Sequence, residues 1–157
     1  MKDVFSVKRS NDGDQVLKSL NGSFANVIDM AGADFTLKDS DSGSLVLIDA
    51  TGASGGLTVT LPTVLQSGVI YKFVVKEDTP SQAVTVAAGS AIIFGNFGEA
   101  EVDTNDDGPG SSGATGISNI VVGTGAKKGC RFGIICDGTN WYLQDAFAQI
   151  DGSITTS

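Results

Sequence analysis

From Leu45 onward, apolar residues return at every second position of the chain. The segment Leu57-Thr-Val-Thr-Leu61 alternates strictly, which puts Leu57, Val59 and Leu61 on a core-facing side and Thr58 and Thr60 on the other. Pro62 ends this strand because it has no N–H for a ladder. Val69–Lys76 is the strongest run, with Val69, Tyr71, Phe73 and Val75 on one face and Lys72 and Lys76 on the opposite one. Leu45–Ile48, Ala83–Ala87, Ala91–Phe94, Ile117–Val122, Cys130–Cys136 and Trp141–Gln144 supply further short strands. Turn chemistry separates them: Gly52–Gly56, the surroundings of Gly89, and Asp137-Gly-Thr-Asn140, a hairpin-type connection between the last two runs. The stretch Glu101–Gly116 reads as a surface loop. Strands at intervals of about ten residues, with no helix-length periodic run between them, predict an all-β single domain. The expected form is an antiparallel β-sandwich, of jelly-roll or another sandwich topology.

Residues 1–44 lack this alternation and read as an N-terminal arm or as edge strands, leaving residues 45–157 as the sandwich. Asp14–Leu20 is compatible with one or two helical turns capped by Asp14, too short to stand alone. Asp39–Gly43 is a turn or linker.

Composition supports the strand reading. Twenty-one glycines without a G-X-Y period, among 157 residues of which 41% are hydrophobic, fit a globular chain with many tight turns. A chain of this size folds without a metal or disulfide. The net charge of −8 makes nucleic-acid binding by the body unfavourable. Residues 1–20 differ, with Lys2, Lys8, Arg9 and Lys18 against Asp3, Asp12 and Asp14. That mildly basic segment is either a docking arm for an acidic partner or ordinary surface charge. No apolar region follows the N-terminal charges as in a secretory signal, and no apolar stretch reaches the ~20 residues of a membrane helix, so synthesis in a cytoplasm and no membrane partner are expected. Cys130 and Cys136 share one face of one expected strand, roughly 20 Å apart, beyond disulfide reach. Two buried thiols are expected unless Gly133 turns the chain.

The chain has no histidine, which removes the commonest general base and metal ligand. Neither GxxxxGK[ST] nor a GxGxxG before a helix is present. Glu99, Glu101, Asp103, Asp106 and Asp107 crowd into one loop region, which does not hold two carboxylates at the fixed separation of a glycosidase. A non-enzymatic protein without a cofactor is expected. Asp103-x-Asn105-x-Asp107-Gly108 matches the first half of a calcium loop, but Ala114 occupies the twelfth position, where a bidentate Glu is required. A solvated turn is the simpler reading, with a weak calcium site as the alternative and no metal site expected. Trp141 and Tyr142 alternate, so one faces inward. The outward ring either covers core or an interface, or stacks on a sugar.

The closing segment Cys136-Asp-Gly-Thr-Asn-Trp-Tyr142 resembles the hairpin that closes β-domains of bacteriophage virion proteins, among them tail-fibre, head-fibre and capsid-decoration modules. Val59-Thr-Leu-Pro62, Gly68-Val-Ile-Tyr-Lys-Phe-Val-Val-Lys76 and Val84-Thr-Val86 are similar, in order, to the preceding strands of such modules. The resemblance covers about residues 45–145 and rests on common strand residues in a particular succession. It implies a trimeric or otherwise oligomeric β-sandwich on a phage particle, and it carries over no catalytic residue. Without repeats, heptads or a collagen-like shaft, the chain suits a capsid decoration protein better than a complete fibre. That reading makes the major capsid protein and further copies of the chain its partners, with Val4, Phe5, Lys8 and Arg9 as capsid contacts. The capsid surface would be its location. The alternative is a receptor- or carbohydrate-binding module of a tail fibre or tail spike, with Trp141 and Tyr142 as the glycan contacts.

Overall fold

The computed structural model describes residues 26–78, 80–99, 111–150 and 153–157, with backbone pairing only for 111–115. Twelve strands form two sheets: β1 (Val27–Asp29), β2 (Phe35–Thr36), β3 (Leu45–Ile48), β4 (Leu57–Thr60), β5 (Ile70–Val75), β6 (Val84–Ala87), β7 (Ile93–Glu99), β8 (Ser111–Ile117), β9 (Asn119–Val122), β10 (Arg131–Cys136), β11 (Trp141–Ala148) and β12 (Ile154–Thr156). One 3-10 turn, Asp39–Asp41, is the sole helical element among the described residues. The larger sheet has the order β1-β3-β5-β10-β11-β7-β8 and the smaller β12-β9-β6-β4-β2.

The sandwich expected from the pattern is present, but its sheets are mixed rather than antiparallel. The first six strands alternate between the sheets. β1, β3 and β5 therefore lie parallel in one, and β2, β4 and β6 lie parallel in the other. Each winding brings the chain back beside its previous pass, from Val27 to Leu45 to Lys72 and from Phe35 to Val59 to Val86. Parallel neighbours need a crossover, and here the crossover is a strand of the opposite sheet. This winding is foreign to the antiparallel Greek keys of a jelly-roll. The C-terminal half then caps the last winding with antiparallel strands, β10 on β5 and β9 on β6.

The arm boundary also moves. Residues 26–44 contribute the edge strands β1 and β2, and Met30, Leu37 and Ser44 are buried in the sandwich, so the body begins at least at Asn26 rather than at Leu45. The Tyr71 hydroxyl donates to the Lys38 carbonyl at 2.8 Å and ties this early segment to β5. Burial, with Asp39 and Asp41 nearby, holds that phenol well above its ordinary value. The expected helix at Asp14–Leu20 lies outside the described residues. Ser111–Gly116, expected within a loop, joins Ile117 in β8, which pairs with β7 at one edge of the larger sheet.

Between the sheets lies one core. Leu57, Val59, Leu61, Val84, Val86, Ile120, Val122 and Ile154 fill it from the smaller sheet. Phe73, Phe97 and Phe132 form an aromatic centre on the larger one, with ring centroids 4.7 Å apart for Phe73–Phe132 and 5.8 Å for Phe97–Phe132. Val69, Tyr71, Phe73 and Val75 are all buried, as the alternation of that run requires. Cys130 and Cys136 are free, buried thiols at the two ends of β10, whose Gly133 stays within the strand.

Candidate functional site

Whatever the larger sheet does not bury, it presents on its outer face. Register fixes three rows there. The first runs Ile70–Ile135–Tyr142–Phe94, the second Val27–Leu45–Lys72–Gly133–Gln144, and the third Asp29–Leu47–Val74–Arg131–Phe147. Most of these apolar side chains are half-buried by their neighbours, and Val27 and Tyr142 are exposed. The face is thus a largely apolar surface interrupted by Lys72, Arg131, Gln144 and, at one edge, Asp29, on a chain whose net charge is −8.

A groove of about 420 Å³ opens across β3, β5, β10 and β11 on this face. Its shape follows from a bulge. Arg131 pairs with Phe147 and Gly133 with Gln144, so β11 holds one more residue than β10 over the same span. Asp145, inside the extra turn, has φ +48°, a left-handed conformation uncommon for a residue with a Cβ. Gly133 forms part of the floor, where a Cβ would meet the Gln144 carbonyl at 3.2 Å. Lys72 and Arg131 stand at the groove, and the Arg131 guanidinium lies 5.5 Å from the centre of the Phe147 ring. Among the described residues, neither cation makes an ion pair. Asp145 is the one carboxylate in the lining.

The two aromatic candidates part company. Trp141 is 1% exposed, with its ring 5.8 Å from that of Tyr71 in the core, and is not available to a glycan. Tyr142 is 39% exposed and stacks on Phe94 at 5.8 Å between centroids. Its hydroxyl donates to Asp137 Oδ2 at 3.0 Å, while Asp137 Oδ1 accepts the Thr139 and Asn140 amides at 2.7 Å each. These donors hold the Asp137 carboxyl below its ordinary range, the two backbone amides most strongly. The same bond raises the Tyr142 phenol. The hairpin legible in the sequence is therefore also what fixes the outward ring.

At the far end of β1, β3 and β5, Lys76 joins Asp29 and Asp49, with Nζ 2.7 Å from Asp49 Oδ2. Glu77 accepts from the Ala50 amide at 2.7 Å and the Thr51 hydroxyl at 3.0 Å. The cluster cross-links three parallel windings, and its carboxylates are occupied by donors from the chain itself. Among the described residues, no group of three or more acidic or sulfur side chains could hold a metal ion.

The capsid-contact candidates Val4, Phe5, Lys8 and Arg9, and the calcium candidates Asp103, Asn105 and Asp107, lie outside the described residues. The groove residues Arg131, Asp145 and Phe147 were not singled out by the sequence. Alternation placed Lys72 outward, but the bulge that opens the groove lies in Gln144-Asp-Ala-Phe147, which carries no glycine or proline to mark it. Comparison with protein families and with curated proteins finds no match for the chain. No helix among the described residues is long and apolar enough to cross a membrane.

Proposed function

We propose that this chain is a non-enzymatic bacteriophage structural protein, a capsid decoration protein that binds and stabilises the head surface. One observation carries the reading: the outer face of the seven-stranded sheet presents three rows in which apolar side chains, most of them half-buried, outnumber the polar ones. This is a broad surface suited to another protein. The likeness of the closing hairpin and its preceding strands to phage virion modules supplies the setting. A protein of this kind works by mass action, since each copy bound only to the assembled shell stabilises it without turnover. Several copies, as in a homotrimer, add avidity on a repetitive lattice. The major capsid protein is the partner in this reading, with Val4, Phe5, Lys8 and Arg9 as further contacts. The test is direct imaging of purified particles of the encoding phage incubated with gold-labelled protein. Label over the heads supports the reading, as does its loss when residues 1–20 are deleted. Label confined to tail tips, or none, overturns it.

One observation favours a second reading, a receptor-binding tail module. Exposed Tyr142 stacks on half-buried Phe94, an arrangement of the kind that packs against a sugar ring. Binding to a glycan array that Tyr142→Ala removes, together with label at the tail tip, would replace the decoration reading. Trp141 has no part in this test because it is buried.

A further inference from the structure

The groove on the outer face has features that a generic apolar surface does not need. The β11 bulge keeps Asp145 in a left-handed conformation, and such departures collect where a protein positions a partner. Gly133 leaves the floor without a side chain between the two cations. Lys72 is opposite Gly133 and Arg131 is opposite Val74, so the cations are diagonal neighbours on adjacent strands, a relationship that sets residues about 7–8 Å apart. Contact with the Phe147 ring restrains the Arg131 head before any partner arrives.

We propose that this groove takes an extended, acidic segment of a partner protein, with carboxylates two residues apart on Lys72 and Arg131 and flanking apolar side chains on Leu45, Ile70, Val74 and Phe147. The spacing fits: same-side residues of an extended chain repeat at roughly 6.6–6.8 Å. The charge fits as well, because two cations outweigh the single Asp145 within the lining of an otherwise acidic protein. A polyphosphate chain is disfavoured by the net charge of −8, and a small inorganic anion would leave the apolar floor uncovered. The inference rests on the docking reading above and names the chemistry of the docked segment.

The probe is the peptide acetyl-Leu-Ser-Glu-Ser-Glu-Ser-Leu-amide, whose glutamates and leucines share one side of an extended chain, titrated into isotopically labelled full-length protein and followed by NMR. Its counterpart with lysines for both glutamates, a heparin hexasaccharide and sialyllactose are titrated alongside. Shifts confined to β3, β5, β10 and β11, at least tenfold weaker binding to K72E/R131E, and recovery of binding when the lysine peptide meets that variant support the proposal. Filling the groove with Ala146→Trp is also expected to weaken the acidic peptide at least tenfold while leaving both charges in place. Equal binding of the two peptides to the wild type, binding that survives both variants, no binding, or preferential binding of heparin or sialyllactose at these residues overturns it. Head labelling separates this test from that of the function. Heads labelled equally by wild type and K72E/R131E sink the groove and leave the decoration reading standing. Wild-type protein that never labels heads sinks the decoration reading, whatever the peptide does.

Discussion

The Lys76 ammonium donates to Asp49 Oδ2 at 2.7 Å, joining the end of β5 to the end of β3. Asp49 also accepts from the Thr51 amide at 3.0 Å, and its pKa falls from 3.8 to about 2, with the Lys76 bond as the largest cause. A carboxyl whose folded pKa is depressed stabilises the fold above its unfolded value, and that contribution disappears as pH falls through the folded value. Stability is therefore expected to drop between about pH 4 and pH 2, by on the order of 1–2 kcal/mol from this group. Denaturant unfolding of wild type and Asp49→Asn across that range checks it. The variant should be less stable at pH 7 and show a shallower loss, and parallel curves would refute the assignment. Hydrogen bonds to Asp29 and then to Asp49 raise Lys76 above its ordinary 10.5, so its share is present below that pH and fades only at more alkaline pH.

Gly95 and Gly55 should respond in opposite ways to alanine. Gly95 has φ +136° and faces β11, where an added Cβ would lie 2.5 Å from Leu143 Cβ. Gly55 has open space around it and no such backbone conformation. Gly95→Ala is expected to cost about 2 kcal/mol or more through overpacking and backbone strain. Gly55→Ala is expected to gain up to roughly 1 kcal/mol by restricting the unfolded chain. Chemical denaturation midpoints at constant m-value read both.

The adjacent aromatics Trp141 and Tyr142 should separate stability from surface chemistry. Trp141→Ala is expected to cost about 3–5 kcal/mol by leaving a cavity beside Tyr71. Tyr142→Ala removes a half-exposed ring and one solvent-facing hydrogen bond, and should cost about 1 kcal/mol. Thermal unfolding by circular dichroism distinguishes them, and similar losses would contradict the inward–outward assignment.

Both thiols should be silent in the folded protein. Cys130 is 0% and Cys136 2% exposed, and their sulfurs accept the Gln149 and Gly138 amides. A thiol-specific chromogenic reagent should label neither residue in native buffer and both in guanidinium chloride, with no reductant needed. Label appearing at once in native protein would show that β10 is open at its ends.

The strand content was legible because a half-buried strand must alternate. Leu57, Val59 and Leu61 turned inward as their spacing required, and so did the even-spaced set in Val69–Val75. The hairpin at Asp137–Asn140 was legible from its turn residues, which supply the side-chain acceptor and the backbone donors that close it. β8 was not legible, because Ser111-Ser-Gly-Ala-Thr-Gly-Ile117 has no apolar alternation and is a strand only through its backbone bonds to β7. β1 and β2 were too short for a period to show.

By itself the sequence determined that this protein is built of strands, which side of Leu57–Leu61 and of Val69–Val75 is buried, and that histidine chemistry is absent. Local alternation and side-chain inventory carry that information residue by residue. Only the tertiary structure decided that β1 to β6 wind in parallel between two sheets, because the period-two pattern is the same for parallel and antiparallel neighbours. It alone brought Lys72, distant along the chain, to one groove with Arg131, Gly133 and Phe147. That juxtaposition depends on register and on one extra residue in β11, quantities that belong to pairs of strands and to no single segment.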